Sequence, residues 1–231
     1  MSDRARLRFS YVKHDRLAFL GHLEVITTIQ RCVRRARLPF AVGNGYARRM
    51  KIQFSQALPV GASSACEYFD LMVEEAIDER VALEMLRAAT PTALAPTKAA
   101  YVDRKLPALE AWLDRSRWEV QLLGEGLSAE ELSQAVDTVV SRGSLEYMRG
   151  DKPKTVDLST KFVSFDAADE PWGIVAALES RSTPEGALRP GVLLGAAMRE
   201  IDDENLSSLT VRVRRVKQWH EDVDGRLVEP L

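Results

Sequence analysis

Residues 6–13, Arg6-Leu7-Arg8-Phe9-Ser10-Tyr11-Val12-Lys13, alternate basic or polar side chains with apolar ones. A period of two predicts a strand with Leu7, Phe9 and Tyr11 facing a core. Over residues 22–37 the period changes: Val25, Ile26, Ile29, Cys32, Val33 and Ala36 recur at three- and four-residue steps. That spacing predicts an amphipathic helix, stopped by Pro39. Phe40-Ala41-Val42 reads as a short extended piece, and Gly43-Asn44-Gly45 as a break. Residues 50–55 are extended with Ile52 and Phe54 on one face, and Leu58-Pro59-Val60-Gly61 is a loop. A third strand is expected over residues 68–74. A helix follows that is capped by Asp78 and carries Val81, Leu83, Met85 and Leu86. Thr90-Pro91 closes it, and a fourth strand is expected over residues 92–102.

The second half repeats this order. Residues 118–123 read as a strand. Ser128-Ala129-Glu130-Glu131 forms a capping box for a helix running to Ser141, and Gly143 stops it. Residues 145–148 read as a strand, and residues 156–165 and 172–179 as extended segments that could pair as a hairpin. Arg189-Pro190 opens a further helix, proline being favoured in a first turn, and residues 209–219 form the last strand. The expected class is α+β: two tandem ferredoxin-like (βαββαβ) domains, residues 1–103 and 117–231, each an antiparallel sheet with helices on one face. Residues 104–116 are either a linker or a helical turn around Leu106 to Leu113.

Composition narrows the class further. The 231 residues are 45% apolar, which excludes wholesale disorder, and 13 Gly with 10 Pro exclude collagen-like and proline-rich chains. No apolar run is long enough to span a membrane, and the N-terminal residues lack the apolar core of a secretory signal. A soluble cytoplasmic protein with no membrane association is expected. Cys32 and Cys66 are too few for an iron–sulfur cluster. His14, His22 and His220 show no metal spacing. Both cysteines read as small buried apolar residues, and no metal or cofactor is expected.

Charge is unevenly distributed. The net charge is −2, yet residues 1–51 hold twelve Lys/Arg against three acids, a balance of +9 that leaves −11 on the remainder. Such asymmetry points to a polyanionic partner, or to a basic segment neutralised by the rest of its own fold. Arg31, Arg34 and Arg35 share the helix face opposite Val25, Ile29 and Val33. Arg48, Arg49 and Lys51 follow the glycine-flanked loop Gly43-Asn44-Gly45-Tyr46, and Tyr46 offers a stacking face. Guanidinium forks suit phosphate, and cations with an aromatic suit single-stranded nucleic acid. The candidate nucleic-acid-binding residues are thus Arg31, Arg34, Arg35, Tyr46, Arg48, Arg49 and Lys51.

His22, at the start of the first helix, could act as an acid/base. A capping or packing role is favoured, because Glu24 points about 200° away around the helix. Asp202-Asp203-Glu204 reads as a solvated loop. Arg212, Arg214, Arg215 and Lys217 form a second basic patch that edge-strand protection explains. No phosphate-binding glycine loop or catalytic triad spacing is present.

Taken together, Phe19-Leu20-Gly21-His22-Leu23-Glu24, Arg31-Cys32-Val33-Arg34-Arg35-Ala36-Arg37-Leu38-Pro39, Gly45-Tyr46, Lys51-Ile52, Ala57-Leu58-Pro59-Val60-Gly61 and Glu67-Tyr68-Phe69-Asp70 resemble a bacterial family of unknown function, domain of unknown function 2344. Its members are linked to radical SAM proteins. The family usually carries Ser and Asp where Gly21 and Glu24 stand, and Asn-Pro where Ala47-Arg48 stand. The tandem order also resembles the RAMP superfamily, which includes metal-independent endoribonucleases; that likeness would give His22 a catalytic role. The resemblance implies a non-catalytic accessory protein beside a radical SAM protein carrying the iron–sulfur cluster, and the basic N-terminal segment with its arginine face adds the expectation that it binds RNA, tRNA being one candidate. A protein–protein adaptor without nucleic acid is the alternative, and an endoribonuclease the third.

Overall fold

The alternating N-terminal segment forms strand β1, Ala5–Lys13, in the computed structural model, which describes residues 4–183, 185–201 and 209–231. The protein is mixed α+β, with a large, mostly antiparallel sheet. Two compact units are present, residues 1–113 with 220–231, and residues 114–219.

In the first unit, β1 is followed by a 3-10 turn, Asp15–Phe19, and helix α1, His22–Arg35. Strands β2, Ile52–Phe54, and β3, Ser63–Val73, precede helix α2, Glu79–Ala89, and strand β4, Pro96–Val102. A one-turn helix α3, Leu109–Trp112, ends the run. β1 pairs with β3 on one side and β4 on the other, and β2 pairs with β3. The helical period of α1 buries Val25, Ile29, Cys32 and Val33 against Leu7, Phe9, Phe69 and Leu71 of the sheet. Phe9 and Phe69 stack at 5.0 Å between ring centroids, and Phe54 lies 5.6 Å from Phe69. Cys32 and Cys66 are both buried thiols.

Several boundaries differ from the sequence expectation. α1 stops at Arg35, two residues early, because Arg37 turns left-handed at φ 56° and the Leu38 amide reaches back to the Val33 carbonyl. Thr92 to Leu94, expected as strand, is a tight turn closed by the Leu94 amide on the Pro91 carbonyl at 2.8 Å. β3 begins well before residue 68. Residues 104–116 are not a plain linker: α3 within them buries Leu109 and Trp112, with Leu109 fully enclosed.

The second face of β1 is also covered. Arg8 is fully buried, and Ser10 is nearly so. Arg8 donates to both carboxylate oxygens of Asp70, its neighbour across the β1–β3 ladder, at 2.7 and 3.0 Å. It also donates to the Pro230 carbonyl at 3.2 Å, and its guanidinium lies 4.7 Å over the Trp112 ring. Trp112 in turn stacks on His220 at 5.1 Å. The segment from His220 to Leu231, expected with the second domain, thus packs with the first unit. Arg6 donates to the Leu106 carbonyl at 2.9 Å, fixing α3 over the same face. Nearby, burial pushes the Tyr68 phenol well above its ordinary pKa; Cys66, Glu229 and Glu67 push the same way, and Arg8 opposes them.

The second unit comprises β5, Arg115–Leu123; α4, Ala129–Ser141; and a hairpin of β6, Ser144–Arg149, with β7, Lys152–Asp157. One-turn helix α5, Leu158–Lys161, interrupts the stretch expected to be extended, because the Asp157 carboxylate caps the Ser159 amide at 2.9 Å. Then follow β8, Phe162–Glu170; β9, Gly173–Thr183; β10, Gly186–Ala187; α6, Pro190–Ile201; and β11, Thr210–Glu221. A final short strand β12, Leu227–Val228, belongs to the first unit and pairs there with His220 and Glu221. β9 pairs with β5, β8 and β10, and β5 pairs with β11. The capping box at Ser128 is formed, and Gly143 adopts φ 74° beyond the end of α4, where a side chain would be strained. At Gly173 a Cβ would stand 2.0 Å from the Leu122 carbonyl oxygen, so only glycine lets β9 approach β5 there. Of the second basic patch, Arg215 is buried with its guanidinium 4.6 Å over Trp118, whereas Arg212, Arg214 and Lys217 are exposed. Asp202, Asp203 and Glu204 lie outside the described residues.

Breaking a buried ion pair strands the remaining charge. Asp70→Asn is therefore expected to cost about 3–5 kcal/mol in urea unfolding, and replacing both partners with apolar residues to cost much less; a loss below about 1 kcal/mol in the single variant contradicts this role for the pair. The Tyr68 phenol ionises in the unfolded chain near pH 10 but only at higher pH in the fold. Its stabilising effect is complete below about pH 10 and is lost as the pH rises from there through the raised value in the fold, so Tyr68→Phe is expected to flatten the fall in stability above about pH 10. A pH series of unfolding midpoints checks this.

Candidate functional site

The aromatic series that begins in the core continues outward. Phe9 stacks on Phe69, Phe69 touches Phe54, and the His22 ring meets Phe54 edge-on at 6.2 Å and 85°. His22 is the first residue of α1, so this series leads from the sheet to the helix N-terminus. The Glu24 carboxylate accepts from the Gly21 amide at 2.7 Å. That is half of a capping box, since glycine has no side chain to return the bond. His22 therefore packs against Phe54, and Glu24 is engaged with the cap.

The turn that delivers α1 is itself pinned. Lys13, almost fully buried, donates to the carbonyls of Ala18 and Leu20 at 2.9 and 2.8 Å. Its ammonium takes the place of water at both carbonyls, and the Ala18 carbonyl also accepts from the Gly61 amide at 3.0 Å, so the turn is held from two sides.

From His22 a stripe of α1 side chains runs at four-residue steps: His22, Ile26, Gln30 and Arg34. They form one wall of a groove of about 550 Å³. Ile52 and Phe54 of β2, with Met50, line it on the sheet side, and Ala47, Arg48 and Arg49 line it from the loop. Glu110 at the start of α3 contributes one carboxylate-bearing residue. The loop is held by the Gly43 amide on the Arg49 carbonyl at 2.9 Å and the Arg48 amide on the Gly45 carbonyl at 3.0 Å. Arg48 takes φ 40°, a left-handed conformation uncommon outside glycine, asparagine and aspartate.

The groove gathers Arg34, Arg48 and Arg49 from the seven residues singled out in the sequence, together with His22. The other four stand elsewhere. Arg31 is exposed on α1, displaced about 60° around the axis from Arg34. Arg35 donates to the Ala89 carbonyl at 3.1 Å, closing the C-terminus of α2. Tyr46 is fully exposed and Lys51 half-buried, and neither lines the groove. The Arg34 guanidinium lies 5.8 Å over the Phe40 ring. Among the described residues, none of Arg31, Arg34, Arg35, Arg48, Arg49 and Lys51 has a carboxylate within ion-pair distance. Sequence reading missed Gln30 and Glu110; the four-residue spacing from His22 to Arg34 is the signal that finds Gln30, while Glu110 arrives from a segment with no pattern of its own.

Chemically, the groove offers three guanidinium groups, one carboxylate and a small apolar area at half-buried Ile26 and Ile52, with Met50 and Phe54 almost wholly buried behind them. No group of three or more His, Cys, Asp or Glu among the described residues is arranged to hold a metal ion. No helix among them is long and apolar enough to cross a membrane.

A family model described as "Uncharacterized protein conserved in bacteria (DUF2344)" matches residues 6–190. No curated protein matches the sequence. Among solved structures, the chain is similar to one titled "Crystal Structure of a Cbf5-Nop10-Gar1 Complex", at 8% identity and a TM-score of 0.45, covering 94% of this chain and 50% of that one. The chain thus spans half the length of that relative. It is also similar to "Crystal Structure of an Unknown Protein from Galdieria sulphuraria", at 12% identity and a TM-score of 0.30, covering 93% of this chain and all of that one.

Proposed function

The chain belongs to the bacterial DUF2344 family, and from the groove it carries we propose that it is an accessory RNA-binding module, acting with a radical SAM enzyme in RNA modification. The observation that supports this reading is the group of three groove guanidiniums without carboxylate partners among the described residues. An unpaired guanidinium keeps its donors for phosphate, which it can engage with two parallel hydrogen bonds. RNA is favoured over a free anion because half-buried Ile26 and Ile52 lie beside the His22 ring beneath the cations and give a base something to lie on. The radical SAM partner enters through the family resemblance; it carries the cluster, and this chain delivers or orients RNA. The sheet order of the first unit, with β1 between β3 and β4 and β2 on the far side of β3, supports reading that unit as ferredoxin-like.

The adaptor reading also has one supporting observation. Phe19, Leu23 and Val60 are large apolar side chains left mostly exposed, and Phe19 lies beside Gly61. Such side chains suit a protein partner, and in this reading the surface docks the radical SAM enzyme with no nucleic acid in the complex.

Neutralising three phosphates of a single strand gives a slope of about −2 in log affinity against log salt. Purified protein is expected to bind single-stranded RNA or tRNA with that slope, and Arg34→Glu or Arg48→Glu to weaken binding about tenfold or more. Absence of any salt-dependent shift in a filter-binding assay defeats the reading. Phe19→Ser with Val60→Ser is expected to abolish co-purification with the radical SAM protein and leave RNA affinity unchanged; retention of the partner removes the docking surface.

A further inference from the structure

We propose that the groove takes one unpaired nucleotide, with its base laid against the His22 ring and Ile52 and its phosphate held by Arg34, Arg48 and Arg49. This rests on the RNA-binding reading and narrows it. A duplex presents phosphates and sugar edges at its surface, and its bases are stacked inside. Cations alone would serve that surface, and an apolar floor beneath them would gain nothing. An unpaired base has two apolar faces and one polar edge, and the groove has a counterpart for each.

Phe54 is fixed from below by Phe69, and His22 stands perpendicular to it at 85°. Phe54 is almost wholly buried, so a planar ring entering the groove stacks on the half-buried His22 ring and abuts Ile52. Gln30 supplies an amide, both donor and acceptor, on the helix wall, and Glu110 supplies an acceptor at the opposite side. Those groups suit a base edge; the carboxylate would repel a second phosphate. The volume, about 550 Å³, lies in the range of small-molecule sites and far below what a double helix would occupy. An acidic peptide meets the cations equally well but lacks a flat ring for the floor.

The test uses the full chain and four probes in fluorescence anisotropy at one salt concentration. These are octauridylate, an abasic ribose-phosphate octamer, an eight-base-pair RNA duplex and octaglutamate. Octauridylate is expected to bind about tenfold more tightly than the abasic octamer, the difference that base stacking supplies, and more tightly than the duplex or the peptide. Ala47→Trp, at an exposed loop position on the rim, fills the groove without altering any cation. It is expected to erase the tenfold preference while leaving abasic affinity unchanged, and a urea unfolding midpoint equal to that of the unaltered chain shows that the variant is folded, so loss of the preference is not loss of the fold. Equal binding of octauridylate and the abasic octamer overturns the nucleotide proposal and leaves the cationic reading standing. Failure of every nucleic-acid probe overturns both. Octaglutamate binding as tightly as octauridylate also overturns both, in favour of an acidic protein partner.

Discussion

The groove depends on an ion pair that it does not contain. Arg8 and Asp70 face one another across β1 and β3, so their two hydrogen bonds fix which residue of β3 lies opposite which residue of β1. A slip of one residue would turn every side chain of a strand to the other face, and would leave two buried charges without partners. The same register carries onward. β2 pairs with β3 so that Gln53 lies opposite Asp70, Ile52 opposite Leu71 and Phe54 opposite Phe69. The floor residues of the groove are therefore set by their pairing to the strand that the ion pair holds.

Burying two charges costs free energy, and a well-packed apolar pair would often be at least as stable. What the ion pair contributes is uniqueness of register, with additional bonds that lower its cost. The Pro230 carbonyl takes a further donor of Arg8, and the Trp112 face lies against the guanidinium plane. Arg6 repeats this on a smaller scale by holding the carbonyl that precedes α3. Between them, two basic residues of one strand anchor the segments that cover its second face, including α3, the element that brings Glu110 to the groove.

This explains how much of the molecule could be read from residues alone. Strand β1 and helix α1 were legible because their patterns are local: a period of two and a period near 3.6 appear in any window of ten residues. The burial of Arg8 was not legible. A polar residue in an alternating strand reads as solvent-facing, and its cover comes from about a hundred residues away at Trp112 and from the far end of the chain at Pro230. Asp70 sat in plain view in Glu67-Tyr68-Phe69-Asp70, but nothing in spacing links it to Arg8. The site was legible to the same extent. Helical geometry placed Arg31, Arg34 and Arg35 on one broad face, yet a face of that width spans two environments. Arg34 leans into the groove, whereas Arg35 turns to the end of α2. Arg48 and Arg49 were found by charge, while the apolar floor that gives them a use was hidden among ordinary core residues.

Whether the cations serve only the fold can be weighed residue by residue. Arg31, Arg34 and Arg35 lie near the end of a helix of 14 residues, where the backbone carbonyls favour positive charge. Arg35 has a definite structural partner in the Ala89 carbonyl. Arg34 adds a contact with Phe40. The fold alone thus accounts for the helix cations. It does not account for Arg48 and Arg49. They occupy a loop where no helix end favours them, one takes a left-handed backbone conformation that arginine disfavours, and both stand on the rim of a groove that Arg34 already makes positive. Like charges brought together destabilise the compact state through mutual repulsion. Glycine or asparagine at position 48 would close the same turn with less strain and no repulsion. A ligand that spreads negative charge between the loop and the helix removes that repulsion, and this makes the loop, rather than the helix, the part of the site that a structural role fails to explain.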